Sequence, residues 1–427
     1  MTTSSSPSPD AATSDPAPAR LARNHAFQRF WGARVLSSMS MQMLAVAMGW
    51  NVYALTHSAY ALGLVGLSQF LPQFLLTLVV GHVADRYDRR RIVAICQVLE
   101  CLAALVFVAG TFGGWLRAPH IYLLAAAVGA ARAFEQPSLQ SLLPGIVPRS
   151  QLPSATALSS SANQTAQIIG PAFGGLLYGI GAGPAYIACA LSFAAAAVLI
   201  GTVPLQAKPA SRPPVTLESV FSGITFICSQ PALLGALSLD LFAVLFGGAT
   251  ALLPVFARDI LHAGPIALGL LRSATAVGAL TGSIWLAHHP RKQRPGRAMF
   301  GGVIVFGFAT VAFGLSHNIA VSLIALAVLG ASDVVSVVVR QSLVQLRTPD
   351  EMLGRVSAVN SLFIGTSNQL GEFESGITAG WWGAQPAVLV GGVATIAVAL
   401  LWMRLFPVLT NMRSLEREEP HESVAAS

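Results

Sequence analysis

Long charge-free runs constrain this chain more than any other feature. Asp, Glu, Lys and Arg are absent from residues 35–84, 150–207, 298–332 and 375–403. A helix crossing the bilayer core needs about 20 apolar residues. The two longest gaps are therefore each read as two crossings joined by a short hairpin. Only 10% of the 427 residues are charged and 54% are hydrophobic, whereas a soluble protein carries roughly 25% charged residues. Such a chain has too few polar groups to cover a surface facing water. A membrane β-barrel would alternate apolar and polar residues with period two, which these runs do not do. The reading is an all-α integral membrane protein.

Hydropathy predicts twelve transmembrane helices, at 28–55, 59–84, 91–113, 120–145, 153–178, 184–203, 232–257, 265–288, 298–315, 319–345, 354–380 and 385–408. Ser58 is expected as the N-cap of the second. Residues 1–26, rich in Ser, Pro, Ala and Thr, are expected as a disordered cytoplasmic tail. A six-helix bundle over 27–203 comes next. Residues 204–230 are read as a cytoplasmic linker: Pro204, Pro209, Pro213 and Pro214 stiffen it, and Leu217, Val220, Phe221 and Ile224 follow at helical spacing. A second bundle over 231–408 and a cytoplasmic tail over 409–427 complete the chain. The tails, the even-numbered loops and the span ends beside them hold 19 of the 25 Lys and Arg, and the opposite loops hold only Arg117 and Arg258. That bias places both termini in the cytoplasm. The net charge of +7 thus reports topology, and no nucleic-acid partner is expected.

The halves repeat one another. At an offset of 201, Gly129-Ala130 matches Gly330-Ala331, Gln140-Ser141-Leu142 matches Gln341-Ser342-Leu343, and Gly170 and Gly175 match Gly371 and Gly376. Two pseudo-symmetric six-helix bundles with parallel repeats are a design of secondary transporters, which bind substrate between the halves.

Two motifs fall where that design places them. After the second span the chain reads Gly81-His-Val-Ala-Asp85-Arg86-Tyr-Asp88-Arg89-Arg90-Arg91. This resembles the signature loop of the major facilitator superfamily. The resemblance implies that Gly81, Asp85, Arg86, Arg89 and Arg90 form a conformational latch, with Asp85 facing the start of span eleven. Asp88 departs from the pattern, which has Gly there. In span five, Gly170-Pro171-Ala-Phe-Gly174-Gly175 resembles the antiporter motif of superfamily exporters and implies export. Three further stretches, Arg132 to Pro137, Leu253 to Asp259 and Pro349 to Val356, resemble the bacterial subgroup of enterobactin exporters and transmembrane secretion effectors. The resemblance covers roughly residues 25–408 and implies the major facilitator fold in a bacterial inner membrane.

Ionisable groups within spans are expensive unless paired or hydrated, so they nominate the path. Span four carries Arg132 and Glu135, span seven Asp240, span ten Asp333 and Arg340, and span eleven Glu372 and Glu374 beyond Asn368. At the repeat offset Arg132 corresponds to Asp333, and the two are expected to meet across the pseudo-symmetry axis or to gate the path. Two residues turn a helix by about 200°, so Glu372 is placed toward the cavity with Asn368, and Glu374 against a neighbouring helix, or the reverse. A carboxyl group in an apolar cavity can hold and release a proton near neutral pH. Glu135 and Glu372 are each read either as that carrier or as half of a structural ion pair. For Asp240 the structural role is favoured.

The four cysteines form no C-x-x-C pair, and His288-His289 has no third ligand. There is no phosphate-binding Gly-rich loop. Neither metal, cofactor nor enzymatic activity is expected. The reading is a proton-coupled exporter of a small amphipathic molecule, acting as a monomer in the bilayer. An uptake carrier of the same fold and a non-transporting sensor are the alternatives.

Overall fold

The computed structural model describes residues 21, 23–204, 217–289 and 294–412, with the backbone alone at 77–79, 81, 82, 84, 85, 217–220 and 350. The described residues are helical, and twelve of the helices are long. The first six are α1 (His25–Thr56), α2 (Ala59–Arg86), α3 (Arg89–Phe112), α4 (Ala118–Leu142), α5 (Leu152–Ile180) and α6 (Ala182–Gly201). A short helix, α7 (Leu217–Ser229), separates them from α8 (Pro231–Phe246), α9 (Pro265–His288), α10 (Pro295–Leu315), α11 (Ile319–Arg347), α12 (Asp350–Trp382) and α13 (Ala384–Leu405). Spans seven to twelve are thus α8 to α13.

Local chemistry sets the ends. Asn24 caps α1, accepting from the amides of Ala26 and Phe27 at 3.0 and 3.2 Å. Asn318 caps α11 through the Ala320 amide at 2.8 Å. Prolines open α8, α9 and α10, where a missing N–H costs nothing. Ser58 stands at the N-cap of α2 but makes no side-chain capping bond. Pro209, Pro213 and Pro214 lie outside the described residues, as do the side chains of Leu217 and Val220. Farther along α7, Phe221 is exposed, while Ile224 and Ile227 pack on the core of the later helices.

One expected span is broken. Rather than running unbroken over 232–257, α8 stops at Phe246 and resumes past Gly247-Gly248 as short 3-10, α and π turns that end at Ile260. At the break α12 crosses closely: a Cβ on Gly248 would lie 2.4 Å from the Gly371 carbonyl oxygen and 2.5 Å from Ser375 Oγ.

Eight described helical segments are long and apolar enough to cross a membrane, one of them α8 taken together with the turns that follow it to Ile260. The other long helices, α1, α4, α5 and α12, match them in length and carry more polar side chains. Those polar groups are what a bundle must keep away from lipid.

The hydrophobic core divides by level. At the end of the bundle away from the chain termini, one continuous core joins the two sets of helices: Met43 to Tyr53 of α1 and Phe107 of α3 share it with Leu252 to Ala257 and Phe313. At the terminal end there are two separate cores, one around Phe27, Phe30 and Ile200, the other around Leu237, Met299 and Leu343. Among the described residues, the helix sets are therefore fused at the far end and apart at the terminal end.

Candidate transport pathway

The densest buried polar cluster lies inside the first six helices. Glu135 on α4 is 2% exposed. Its Oε1 accepts from Ser37 Oγ of α1 at 2.6 Å and from Gln97 Nε2 of α3 at 3.0 Å. Glu100, one turn beyond Gln97, is fully buried, and its carboxyl oxygens accept from no side-chain or backbone donor among the described residues; the group within hydrogen-bond reach is the Glu135 carboxyl. It faces Glu135 and Arg132, and Arg34 of α1 faces Glu135. Neither guanidinium forms an ion pair within 4.0 Å among the described residues. Two carboxyl groups and two guanidiniums thus share an apolar interior without direct pairing.

The second set of helices solves the same problem by pairing. Asp240 of α8 and Arg340 of α11 form a buried ion pair. Asp333, two turns back on α11, shares a small cavity with Asp240, Phe306 and Ser336. The expected meeting of Arg132 with Asp333 across the symmetry axis is not what the structure holds. Arg132 faces Glu100, and Asp333 faces the Asp240 cavity. Each therefore faces residues of its own helix set, Arg132 through the packing of α3 on α4 and Asp333 through that of α8 on α11.

At the far end the two sets interlock. A Cβ on Gly376 of α12 would lie 2.6 Å from Gly63 Cα of α2, and one on Gly66 would lie 3.1 Å from Glu372 Oε2. Arg272 of α9 faces Glu372. Glu372 is therefore the acid in the helix seam, with Gln369 beside it on Gly66. Glu374, turned away, is half-exposed, and its backbone carbonyl accepts from Thr378 Oγ1 at 3.0 Å. Asn368 is exposed, and so are Ser361 and Gly365 on the same stripe of α12. The α5 motif divides between two neighbours. Cβ atoms on Gly170 and Gly174 would strike α1 at Gln42 and Met43, each at 2.7 Å, whereas one on Gly175 would meet the Pro265 carbonyl oxygen at the start of α9 at 2.5 Å. The Pro171 carbonyl oxygen occupies the Cβ position of Gly269, 2.4 Å away. Tyr53 also donates a hydrogen bond across the sets to Asp259. These contacts close the far end.

The sequence matches the family described as transmembrane secretion effector over residues 14–425. The chain belongs to that family. Curated relatives include the enterobactin exporter EntS of Citrobacter koseri, 27% identical over 396 residues that cover 91% of this chain and 93% of that protein. That of Escherichia coli O81 is 26% identical over 411 residues, 94% of this chain and 96% of that protein. Among solved structures, a bacterial homologue of the human lysosomal transporter Spinster aligns with a TM-score of 0.71 at 13% identity, covering 93% of this chain and 99% of that one. A bacterial homologue of the iron transporter ferroportin aligns at 0.69 and 16% identity, covering 91% and 99%. The fold is that of the major facilitator superfamily, built of twelve transmembrane helices, and the protein is a multi-pass transporter of the inner membrane.

In this transmembrane secretion effector, the signature loop joins α2 to α3. The α2 backbone is helical through Gly81 and Asp85, but their side chains lie outside the described residues. Arg86 is exposed and Arg89 half-exposed. Asp88, at the position where the superfamily has Gly, caps α3: its Oδ1 accepts from the Arg90 amide at 2.9 Å. Arg90 pairs with Asp88 at 3.5 Å and donates to the Val203 carbonyl oxygen, beyond α6, at 3.0 Å. Sequence reading missed Glu100. The signal was available, since Glu100 is the sole charge between Arg91 and Arg117, and Gln97 lies one turn before it on the same face.

Proposed function

We propose that this protein exports a small amphipathic molecule in exchange for protons, by alternating access of 27–203 against 231–408. Both termini are cytoplasmic in this reading, as the Lys and Arg distribution requires. The far end is then the external one, and the core that is joined there and divided at the terminal end supports a state closed to the outside. The names of the relatives point to a siderophore as the substrate class. The α5 motif, with one face on α1 and the other on α9, supports export, because it lets the external seam close without a side chain in the way.

The observation that carries the proton half of the proposal is the Glu135 site. A buried carboxyl group held by two donors on one oxygen, beside a second carboxyl group with no donor of its own, has too few protons for its acceptors. One proton shared by Glu100 and Glu135 meets that shortage. Its release, with Arg132 and Arg34 taking up the charge, is the step coupled to the change of access. Asp240 and Arg340 form a structural pair, and Glu372 with Arg272 belongs to the external seam.

Everted membrane vesicles with an acidic interior provide the test. Enterobactin or an amphipathic dye accumulates inside them in this reading, because protons leaving the vesicle drive substrate inward. Accumulation confined to right-side-out vesicles contradicts it.

A further inference from the structure

A groove of about 710 Å³ opens between α9 and α10 at the terminal end, floored by α11. Its mouth is basic and aromatic, formed by Arg294, Arg297 and Trp285, all exposed. Below the mouth the walls turn apolar, with Val305, Val328 and Val335. The hydroxyls that reach the groove are spent within their own helices: Thr281 Oγ1 donates to the Val277 carbonyl oxygen at 3.0 Å and Ser332 Oγ to that of Leu329 at 2.9 Å. Two glycines seat the walls on the floor and a third leaves the groove open. A Cβ on Gly282 would strike Ala331 and one on Gly302 the Ser332 carbonyl oxygen, whereas Gly301 has nothing within 4 Å.

The dimensions fit one class of ligand. From Arg294 at the mouth to Val305 is eleven residues, about 16 Å of helix. One leaflet of the hydrocarbon core is about 15 Å deep. A single acyl chain fills such a groove while its headgroup stays at the mouth. The charge at the mouth selects among headgroups. No acidic residue occurs between Asp259 and Asp333, and neither guanidinium is ion-paired among the described residues. A zwitterionic headgroup would bring its ammonium to a mouth with no carboxylate among the described residues that line it, whereas an anionic one meets two guanidiniums.

We infer that this groove is a specific site for an anionic phospholipid of the terminal-side leaflet, with its phosphate between Arg294 and Arg297 and one acyl chain along Gly301 toward Val305. The site lies apart from the Glu135 cluster and does not depend on the proposed transport reaction.

The test exchanges purified protein into mixed vesicles of phosphatidylglycerol and phosphatidylcholine, re-extracts it in mild detergent and counts the lipids it retains. Phosphatidylglycerol is enriched on the wild type. The R294Q/R297Q double variant loses about thirty-fold of that enrichment. The G301L variant places its side chain in open space, so it folds, and it loses the enrichment with both arginines intact. Equal retention of the two lipids by the wild type overturns the inference. Unchanged enrichment in G301L also overturns it, because the arginines would then act as surface charge alone.

Discussion

Glu100 and Glu135 put two carboxyl groups into an apolar interior, and two guanidiniums accompany them without touching. Asp240 and Arg340 show the alternative, a closed pair that needs no further partner. Breaking a buried pair by removing one member costs about 3–5 kcal/mol, whereas an apolar replacement of both is often neutral. Arg340→Met should therefore lower the melting temperature of the purified protein sharply, and Asp240→Leu combined with Arg340→Met should restore most of it. If the double variant is as unstable as the single one, the pair has a role beyond neutralising itself. Two interacting carboxyl groups titrate as a unit. Glu100→Gln should thus move the pH profile of transport, and Asp240→Asn should change stability while leaving that profile in place. At this scale the sequence marks Arg132 and Glu135 as charges inside a span, but Glu100 stands 35 residues away from Glu135. Only the packing of α3 on α4 makes them neighbours. The 200° turn between Glu372 and Glu374 shows that they diverge, but not which of them faces α2.

The helices themselves are legible to within a few residues, because apolar runs end where prolines, asparagine caps and charges begin. Pro231, Pro265 and Pro295 each open a helix where the hydropathy rises. The break in α8 is different. Gly247 and Gly248 sit in an unbroken apolar run, and only their tertiary neighbours distinguish them: Phe306 of α10 lies against Gly247, and Gly371 and Ser375 of α12 lie against Gly248. The same holds for the α5 motif: its glycines signal close packing in the sequence, but its division between α1 and α9 is a tertiary fact. A side chain at Gly175 has to push α9 away, because the Pro265 carbonyl oxygen would lie 2.5 Å from its Cβ. In the proposed cycle this opens the external seam. Gly175→Val should make membranes leak protons without substrate, seen as faster collapse of an imposed pH gradient, while Gly301→Val, which meets open space, should not. A tight membrane in Gly175→Val would remove the sealing role.

At the scale of the whole molecule, the division of the core into one cluster at the far end and two at the terminal end describes a single state of a two-state device. The other state has to part Tyr53 from Asp259 and bring the terminal ends together, with Asp85 as the proposed latch on α12. Tyr53→Cys with Asp259→Cys should cross-link under oxidation and stop transport until a reductant is added. Full transport in the cross-linked protein would mean that this seam does not open. The repeat in the sequence announces two halves, but not which end holds them together, because the small residues that set the crossings occur throughout both. The central claim is exchange of substrate for a proton carried at Glu135. Its most direct measurement is accumulation of enterobactin in everted vesicles, with and without an acid interior, for the wild type and Glu135→Gln. The wild type should show uphill, gradient-dependent accumulation, and Glu135→Gln only downhill, gradient-insensitive movement. Gradient-driven accumulation that survives in Glu135→Gln would contradict it.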